Sequence, residues 1–303
     1  IMGRVGLRYA RKYNIPLVFT YHTRYDQYVH YVPVAQDFAK EVTVKYSSSF
    51  CNHCDHIITP SEDIRAIIRE NEVRKPVTVI PTGIPLQRFE NGDPGWLRAH
   101  FDIPAENKIL LFVGRLSKEK NLKFLIKTFR TVKDKMPQTS LVLTAQGPLE
   151  EELKAMCRDL GLGSRDVVFT GAIPYDQLVN VYHSADLFVF SSLTETQGLV
   201  LTEAMACGLP VVAVRASGVQ DMVDDGVDGI LTNLDTDELA AAICQVLSDD
   251  ALYQQLHNHA LLKAESLSAR NMTLKLEDIY KRLITGRTYR PNRLLNVSNW
   301  FNN

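Results

Sequence analysis

The run Asp186-Leu-Phe-Val-Phe-Ser-Ser192 leads through Leu193-Thr-Glu195-Thr-Gln197 into Gly198-Leu-Val-Leu-Thr-Glu203-Ala-Met-Ala-Cys207-Gly-Leu-Pro210-Val-Val212. Its first part is apolar and closed by two small polar residues, the pattern of a buried strand. Gly198 opens an apolar segment, Leu199 to Cys207, long enough for a helix, and Gly208-Leu209-Pro210 is a stop signal before the next apolar run. Glu195 then lies on the turn between strand and helix, and Glu203 lies about one and a half turns inside the helix. The backbone amides of Gln197, Gly198, Leu199 and Val200 are the free N–H groups of a helix N-terminus, which attracts anions. A carboxylate beside an anion site is electrostatically odd unless it addresses something uncharged, such as sugar hydroxyls. Two solvated glutamates near a helix start, where acids are favoured in any case, would give the same letters.

A second segment, Lys108-Ile-Leu-Leu-Phe-Val-Gly114-Arg115-Leu-Ser-Lys-Glu-Lys120-Asn121, is another buried strand that breaks at a glycine into a basic turn. The helix that follows carries Leu122, Phe124, Leu125 and Phe129 on one face. Arg115 and Lys120 therefore stand at the carboxyl end of a strand, where open α/β sheets bind ligands. Two cations there suit a diphosphate, at roughly 1.5–3 kcal/mol for each charge-assisted bond. The competing reading is a solvated basic turn neutralised by Glu119.

Strand and helix alternate along the whole chain. A helix from Gly6 to Tyr13 leads to a strand over 16–21. A helix over roughly 34–54 precedes a strand at 57–58, and a helix over 61–72, with Ser61 as its N-cap, precedes a strand at 77–80. Pro81-Thr-Gly-Ile-Pro85 reads as a hinge-like turn, and Asn91-Gly-Asp-Pro94 is the strongest boundary signal. Beyond residue 105, strands are expected at 108–113, 139–144, 167–170, 186–190, 210–213 and 229–231. Helices near 235–248, 251–265 and 270–285 close the chain. Alternation of this kind means α/β architecture with parallel sheets covered by helices on both faces.

At 303 residues and 45% apolar content the chain is long enough for two globular domains. A net charge of −1 gives no reason to expect nucleic acid as a partner. No apolar run approaches the ~20 residues of a membrane span, and no signal peptide opens the sequence. Five cysteines, an odd number scattered over a large chain, point to a reduced, cytoplasmic protein. Cys51-Asn-His-Cys54-Asp-His56 has the residue types of a zinc site. Four ligands so close in sequence do not easily share one tetrahedral ion, and no second pair follows. The segment reads as packing and a short connection.

Taken together, Gly114-Arg115 with Lys120-Asn121, the glutamate pair with seven residues between, the run from Glu203 to Val212, and Phe169-Thr-Gly171-Ala-Ile173-Pro174 resemble the retaining glycosyltransferases of the GT-B fold, family four of that classification. The resemblance implies two Rossmann-like domains facing a cleft. It implies an acceptor domain at residues 1–92, a donor-binding domain at 93–270, and a helix and tail at 271–303 that pack back towards the first domain. Members of the family begin with further strand–helix units, including a glycine-rich loop, so the first domain is expected to be incomplete and the sequence truncated at its amino end.

The same resemblance implies roles. Arg115 and Lys120, with Gly114 in the turn, would neutralise the donor's diphosphate, and the amides of Gln197, Gly198, Leu199 and Val200 would add to that hold. Glu203 would take the ribose hydroxyls, the backbone of Gly171 and Ile173 would meet the base edge, and Glu195 would face the donor sugar. His22, just past a strand's carboxyl end, matches the first-domain histidine that contacts that sugar. Glu195, His22, Arg115 and Lys120 thus form the expected catalytic set. No cofactor and no metal are expected, because the leaving phosphate deprotonates the acceptor and the two cations replace a divalent ion; the Asp-x-Asp pair of metal-dependent enzymes is read as absent. Ala145-Gln146-Gly147-Pro148 departs from the family's Gly-x-Gly-Pro, which tightens a backbone approach.

The surroundings of His22, with Tyr21, Tyr25, Tyr28 and Tyr31, look most like the bacterial diacylglycerol glucosyltransferases. The resemblance then implies transfer of a hexose from a nucleoside-diphosphate sugar, UDP-glucose first, to a lipid or carbohydrate acceptor, diacylglycerol first. Tyr25, Tyr28 and Tyr31 would line an acceptor or membrane face. Arg4, Arg8, Arg11 and Lys12, with Lys40 and Lys45, would meet an anionic membrane surface at about 1 kcal/mol each. The expectation is then a cytoplasmic protein, peripheral on the inner face of the plasma membrane, although ordinary solvated helix faces would give the same letters. Three readings compete: a nucleotide-sugar-binding fragment without turnover, a GT-B sugar-nucleotide epimerase, and a glycosidase-like acid and nucleophile built from the carboxylate pair.

Overall fold

A computed structural model describes residues 2–22 and 36–285. Tyr25, Tyr28, Tyr31 and the tail from Arg287 lie outside the described residues. The chain divides into two compact units. The first comprises residues 2–22, 36–60, 64–80 and 273–285 of those described, and the second residues 61–63 and 81–272.

The first unit holds a three-stranded sheet, β1 (Val18–Thr20), β2 (His56–Thr59) and β3 (Val77–Val79), in the order β1-β2-β3. All pairings are parallel, with Phe19 opposite Ile57 and Ile57 opposite Val77. Helices α1 (Met2–Tyr13), α2 (Gln36–Cys51) and α3 (Glu62–Glu70) precede or link these strands. Ile64 and Ile68 lie one turn apart on α3 and both are buried, joining Tyr21, Cys51, Ile57 and Val73 in one apolar core. Asn14 ends α1 and Glu72 follows α3, both in the left-handed region that helix exits favour. Cys51, Cys54, His53, Asp55 and His56 are each engaged separately. Burial pushes the Cys51 thiol up to about 12 and the Cys54 thiol up to about 11. Asp55 accepts the Leu17 N–H at 2.8 Å, and His56 Nε2 meets the Thr78 hydroxyl at 2.9 Å. Among the described residues no three His, Cys, Asp or Glu side chains are grouped as metal ligands.

The second unit is built on six parallel strands: β4 (Lys108–Val113), β5 (Thr139–Thr144), β6 (Val167–Gly171), β7 (Leu187–Phe190), β8 (Val211–Val214) and β9 (Gly229–Thr232). Their order is β6-β5-β4-β7-β8-β9. Strands β4, β5, β7 and β8 are buried almost without interruption, as sheets covered on both faces require. The connecting helices are α4 (Trp96–His100), α5 (Leu122–Lys135), α6 (Glu150–Asp159), α7 (Leu178–His183), α8 (Leu199–Ala206), α9 (Thr236–Ser248) and α10 (Asp250–Ser266), and α11 (Ala269–Thr285) begins here. Of the stripe read from the sequence, Leu122, Leu125 and Phe129 are buried together with Ile126 and Val132, whereas Phe124 is only half-buried and lies off that packing face. The turn at 91–94 is fastened inside this unit: the Asp93 N–H donates to Asn180 Oδ1 at 2.9 Å and the Ser184 hydroxyl donates to the Asp93 carbonyl at 3.2 Å.

One topological fact positions the site. From β4 the chain winds outward through β5 to β6, then returns to place β7 on the other side of β4. The chain therefore runs on from β4 and from β7 to opposite sides of the sheet, and the crevice between their carboxyl ends is where open α/β sheets take ligands.

Candidate functional site

Residues 114–121 leave β4 and residues 191–198 leave β7, and the two turns are stitched to each other. The Ser191 hydroxyl donates to the Lys120 carbonyl at 2.8 Å, and the Ser192 hydroxyl to the Glu119 carbonyl at 3.3 Å. The Leu193 N–H adds a bond to the Glu119 carbonyl at 3.2 Å. Both serines are completely buried. The sequence marked them only as the end of a strand; their hydroxyls hold the basic turn in place.

That brings Lys120 onto Glu195. The ammonium forms an ion pair with Glu195 Oε1 and lies 5.7 Å from the centre of the Phe190 ring. Side chains at 18% and 14% exposure make this a half-dry pair, screened less by salt and water than a surface bridge. Glu119 is not the partner of Lys120. It accepts the Ser117 hydroxyl at 2.6 Å; although burial pushes its carboxyl up, the hydrogen bonds of Ser117 and the backbone, with the Lys120 and Arg115 charges, bring it below the ordinary range. Arg115 is exposed beside them. Gly114 sits at φ +154°, and a Cβ there would lie 3.1 Å from the Phe112 ring and 3.8 Å from Lys120 Cε. Glycine suits the positive φ and leaves the Phe112 ring uncrowded, while a Cβ would only touch the lysine stem.

Helix α8 starts from Gly198 in the left-handed conformation, with no side-chain cap and no acid in its first turn. The N–H groups of Leu199 and Val200 at this start have no intrahelical acceptor, and the macrodipole adds positive potential. Gly198 lies close to Glu195: a Cβ at 198 would be 3.9 Å from Glu195 Cγ. The Glu195 backbone is itself supported by the Ser217-Gly218 segment, through a 3.3 Å bond to the Ser217 carbonyl.

Glu203 stands inside α8 at 8% exposure. The hydroxyl of fully buried Tyr182, on α7, donates to Glu203 Oε2 at 2.7 Å. Burial raises the Glu203 carboxyl above its ordinary value, and the Tyr182 bond only partly offsets that. No motif pointed to Tyr182, whose place in α7 reads as core. Gly171 ends β6 at φ +70° and bridges Ala145, which follows β5 at φ +131°. Ile173, two residues on, is half-buried. The chain does contain an Asp-x-Asp pair, Asp235-Thr236-Asp237, which corrects the reading that none exists. Its first member caps α9, accepting the N–H groups of Asp237 and Glu238, both at 2.9 Å. His22 belongs to the first unit and is exposed just beyond β1.

A twin parallel-sheet α/β chain with a basic turn, a glycine-opened helix and a helix-mounted glutamate is a protein of the GT-B class. It belongs to the family described as Glycosyl transferases group 1, which matches residues 75–262; residues 1–88 match the description Glycosyltransferase Family 4. Among relatives, the alpha-monoglucosyldiacylglycerol synthase of Streptococcus pneumoniae is 31% identical over 285 residues, and that of Acholeplasma laidlawii is 28% identical over 294. These alignments take in 92% and 93% of this chain, but 64% and 73% of the relatives' own lengths. The D-inositol 3-phosphate glycosyltransferase of Mycolicibacterium smegmatis is 32% identical, over 86% of this chain and 61% of its own. Among solved structures, the sucrose-phosphate synthase of Thermosynechococcus elongatus superposes with a TM-score of 0.76 at 28% identity, covering 94% of this chain and 72% of that one. Anabaena HepE, solved in complex with UDP and glucose, gives 0.77 at 23% identity, with 92% and 75% covered, and speaks for the fold.

Proposed function

We propose that the protein transfers a hexose, with retention, from a nucleoside-diphosphate sugar to a hydroxyl acceptor, with UDP-glucose as donor and diacylglycerol as acceptor. The observation that carries the reading is the convergence of Lys120, Glu195 and the uncapped start of α8 at the crevice between β4 and β7. Arg115, Lys120 and the amides of residues 197–200 hold the diphosphate as it leaves. Such donors aimed at developing charge are the largest single contribution in many enzymes. Glu203, kept in place by Tyr182, takes the ribose hydroxyls, and the backbone at Gly171 and Ile173 meets the base. Glu195 faces the sugar, and His22 is given the same role from the resemblance of its surroundings alone. In this reading residues 1–92 serve the acceptor and 93–270 the donor, and the transfer needs neither cofactor nor divalent metal. The acceptor is argued from the names of the first two relatives, both diacylglycerol-linked.

Contact with an anionic membrane belongs to the same proposal. On α1, Arg4, Arg8, Arg11 and Lys12 are exposed, and so are Val5 and Tyr9, at 44% and 53%. An apolar pair between cations suits a lipid interface. Among the described residues no helix is long and apolar enough to cross a membrane.

The test is calorimetric titration of the chain with UDP, GDP and ADP, followed by transfer assays with UDP-glucose and diacylglycerol in vesicles with and without anionic lipid. UDP binding that disappears in Lys120→Ala and Glu203→Ala, with EDTA-resistant glucosyl-lipid formation, is the expected result. Binding that survives both substitutions removes the donor site from this crevice.

A further inference from the structure

We infer that Gln197 is a positioning residue, whose side chain fixes the amide-lined start of α8 to the strap Pro81-Thr-Gly-Ile-Pro85 and does not itself reach the donor. The inference rests on the donor-site reading above and adds a role for a side chain and a segment to which that reading gives none.

The geometry is reciprocal. The Thr82 N–H donates to Gln197 Oε1 at 2.8 Å, and Gln197 Nε2 donates to the Thr82 carbonyl at 3.1 Å. One primary amide thus pairs with both main-chain groups of one residue, as a neighbouring strand would. Gln197 is 4% exposed, so its amide is withdrawn from solvent although it sits on a turn. Gln197 directly precedes Gly198, the left-handed residue that opens α8, so the bond pair sets where the 197–200 amides stand. A carboxamide suits this task because it offers one acceptor and a donor in a plane, as a peptide group does.

The strap is itself immobilised at a second point. Ile84 bridges Ser268, its N–H donates to the Leu267 carbonyl at 3.3 Å, and the Ala269 N–H donates to the Ile84 carbonyl at 2.8 Å. Gly83 is pressed so closely there that a Cβ would fall 2.5 Å from Ala269 Cα. Thr82 is therefore a fixed post, and a lost Gln197 amide cannot be made good by the strap moving. The charged side chains on the segments that meet here are Glu195, paired with Lys120, Glu203 on α8, Arg88 beyond the strap, and Glu265 and Arg270 on either side of residues 267–269.

Two substitutions and two ligands test this on the full chain. Gln197→Met keeps length and volume but removes both bonds; UDP should bind about tenfold more weakly, as the loss of two modest hydrogen bonds allows. Uridine, which lacks the phosphates the amides would hold, should bind as in the wild type, measured by ligand-detected NMR. A purely structural defect would instead lower the binding stoichiometry and weaken both ligands together. Gln197→Glu adds a pH signature. Its protonated acid can donate to the Thr82 carbonyl and accept the Thr82 N–H as the amide does, whereas its carboxylate repels that carbonyl. The ratio of variant to wild-type UDP affinity should be near one at low pH and fall as pH rises. Wild-type UDP affinity in Gln197→Met, or a pH-independent ratio in Gln197→Glu, overturns the positioning role alone. Absence of UDP binding by the wild type overturns the donor-site reading and this inference with it.

Discussion

Ala145→Gly should stabilise the protein. Ala145 follows β5 at φ +131°, a region that residues with a Cβ rarely enter, and its backbone is held there by the bridge to Gly171. Such an outlier stores on the order of 1–3 kcal/mol. Glycine relieves that strain but gives the unfolded chain extra freedom worth about 0.4–1 kcal/mol. The difference leaves a net gain of about 1 kcal/mol, or about 2–4 °C in Tm for a folded unit of roughly 150–250 residues. Urea unfolding of the two proteins side by side measures it directly: the midpoint should rise while the slope stays the same. A lower midpoint at equal slope would refute the argument, because it would mean that the methyl packs well enough to outweigh its backbone.

Glu203→Gln should abolish UDP binding yet stabilise the fold. Burial holds the Glu203 carboxyl above its ordinary value of 4.5, so the folded state binds the proton more tightly than the unfolded one. Its stabilising contribution is complete below that value and is lost as pH rises through the folded one. The variant's advantage in Tm should therefore grow from acid to neutral pH, and a pH-independent difference would contradict this. Tyr182→Phe removes the one hydroxyl shown donating to Glu203 and should cost about 1–3 kcal/mol in urea unfolding, with weaker UDP binding. Lys120→Ala should lower the transfer rate ~10²–10³-fold, as removal of a positioned charge stabiliser does; an unchanged rate would end its role at the diphosphate. Gly114→Ala, strained at φ +154° and crowding the Phe112 ring, should reduce both Tm and UDP affinity in the same titrations.

Much of the architecture was legible because hydrophobic periodicity and turn chemistry are local. The strands at 108–113 and 139–144 emerge where the apolar runs put them, and the others shift by a residue or two at their ends. The start of β8 moves to Val211 because Pro210 has no N–H to give a ladder. The spacing of Glu195 and Glu203 around a glycine-opened helix was likewise readable, since helix start signals lie within a few residues of one another.

What the sequence left open were partners. Lys120 had two nearby candidates for neutralisation, Glu119 and solvent, and the fold chose Glu195, 75 residues away, because β4 and β7 are neighbours in the sheet. Glu203 is held by Tyr182, on a helix that otherwise reads as core, and Gln197 is paired with a main-chain segment 115 residues distant. The strain at Ala145 was visible only as a departure from Gly-x-Gly-Pro; its φ angle comes from the bridge to Gly171. Local letters determine which elements form and where charges stand along them. Only strand order and packing decide which charges meet, because those contacts join residues that no helical or strand period connects.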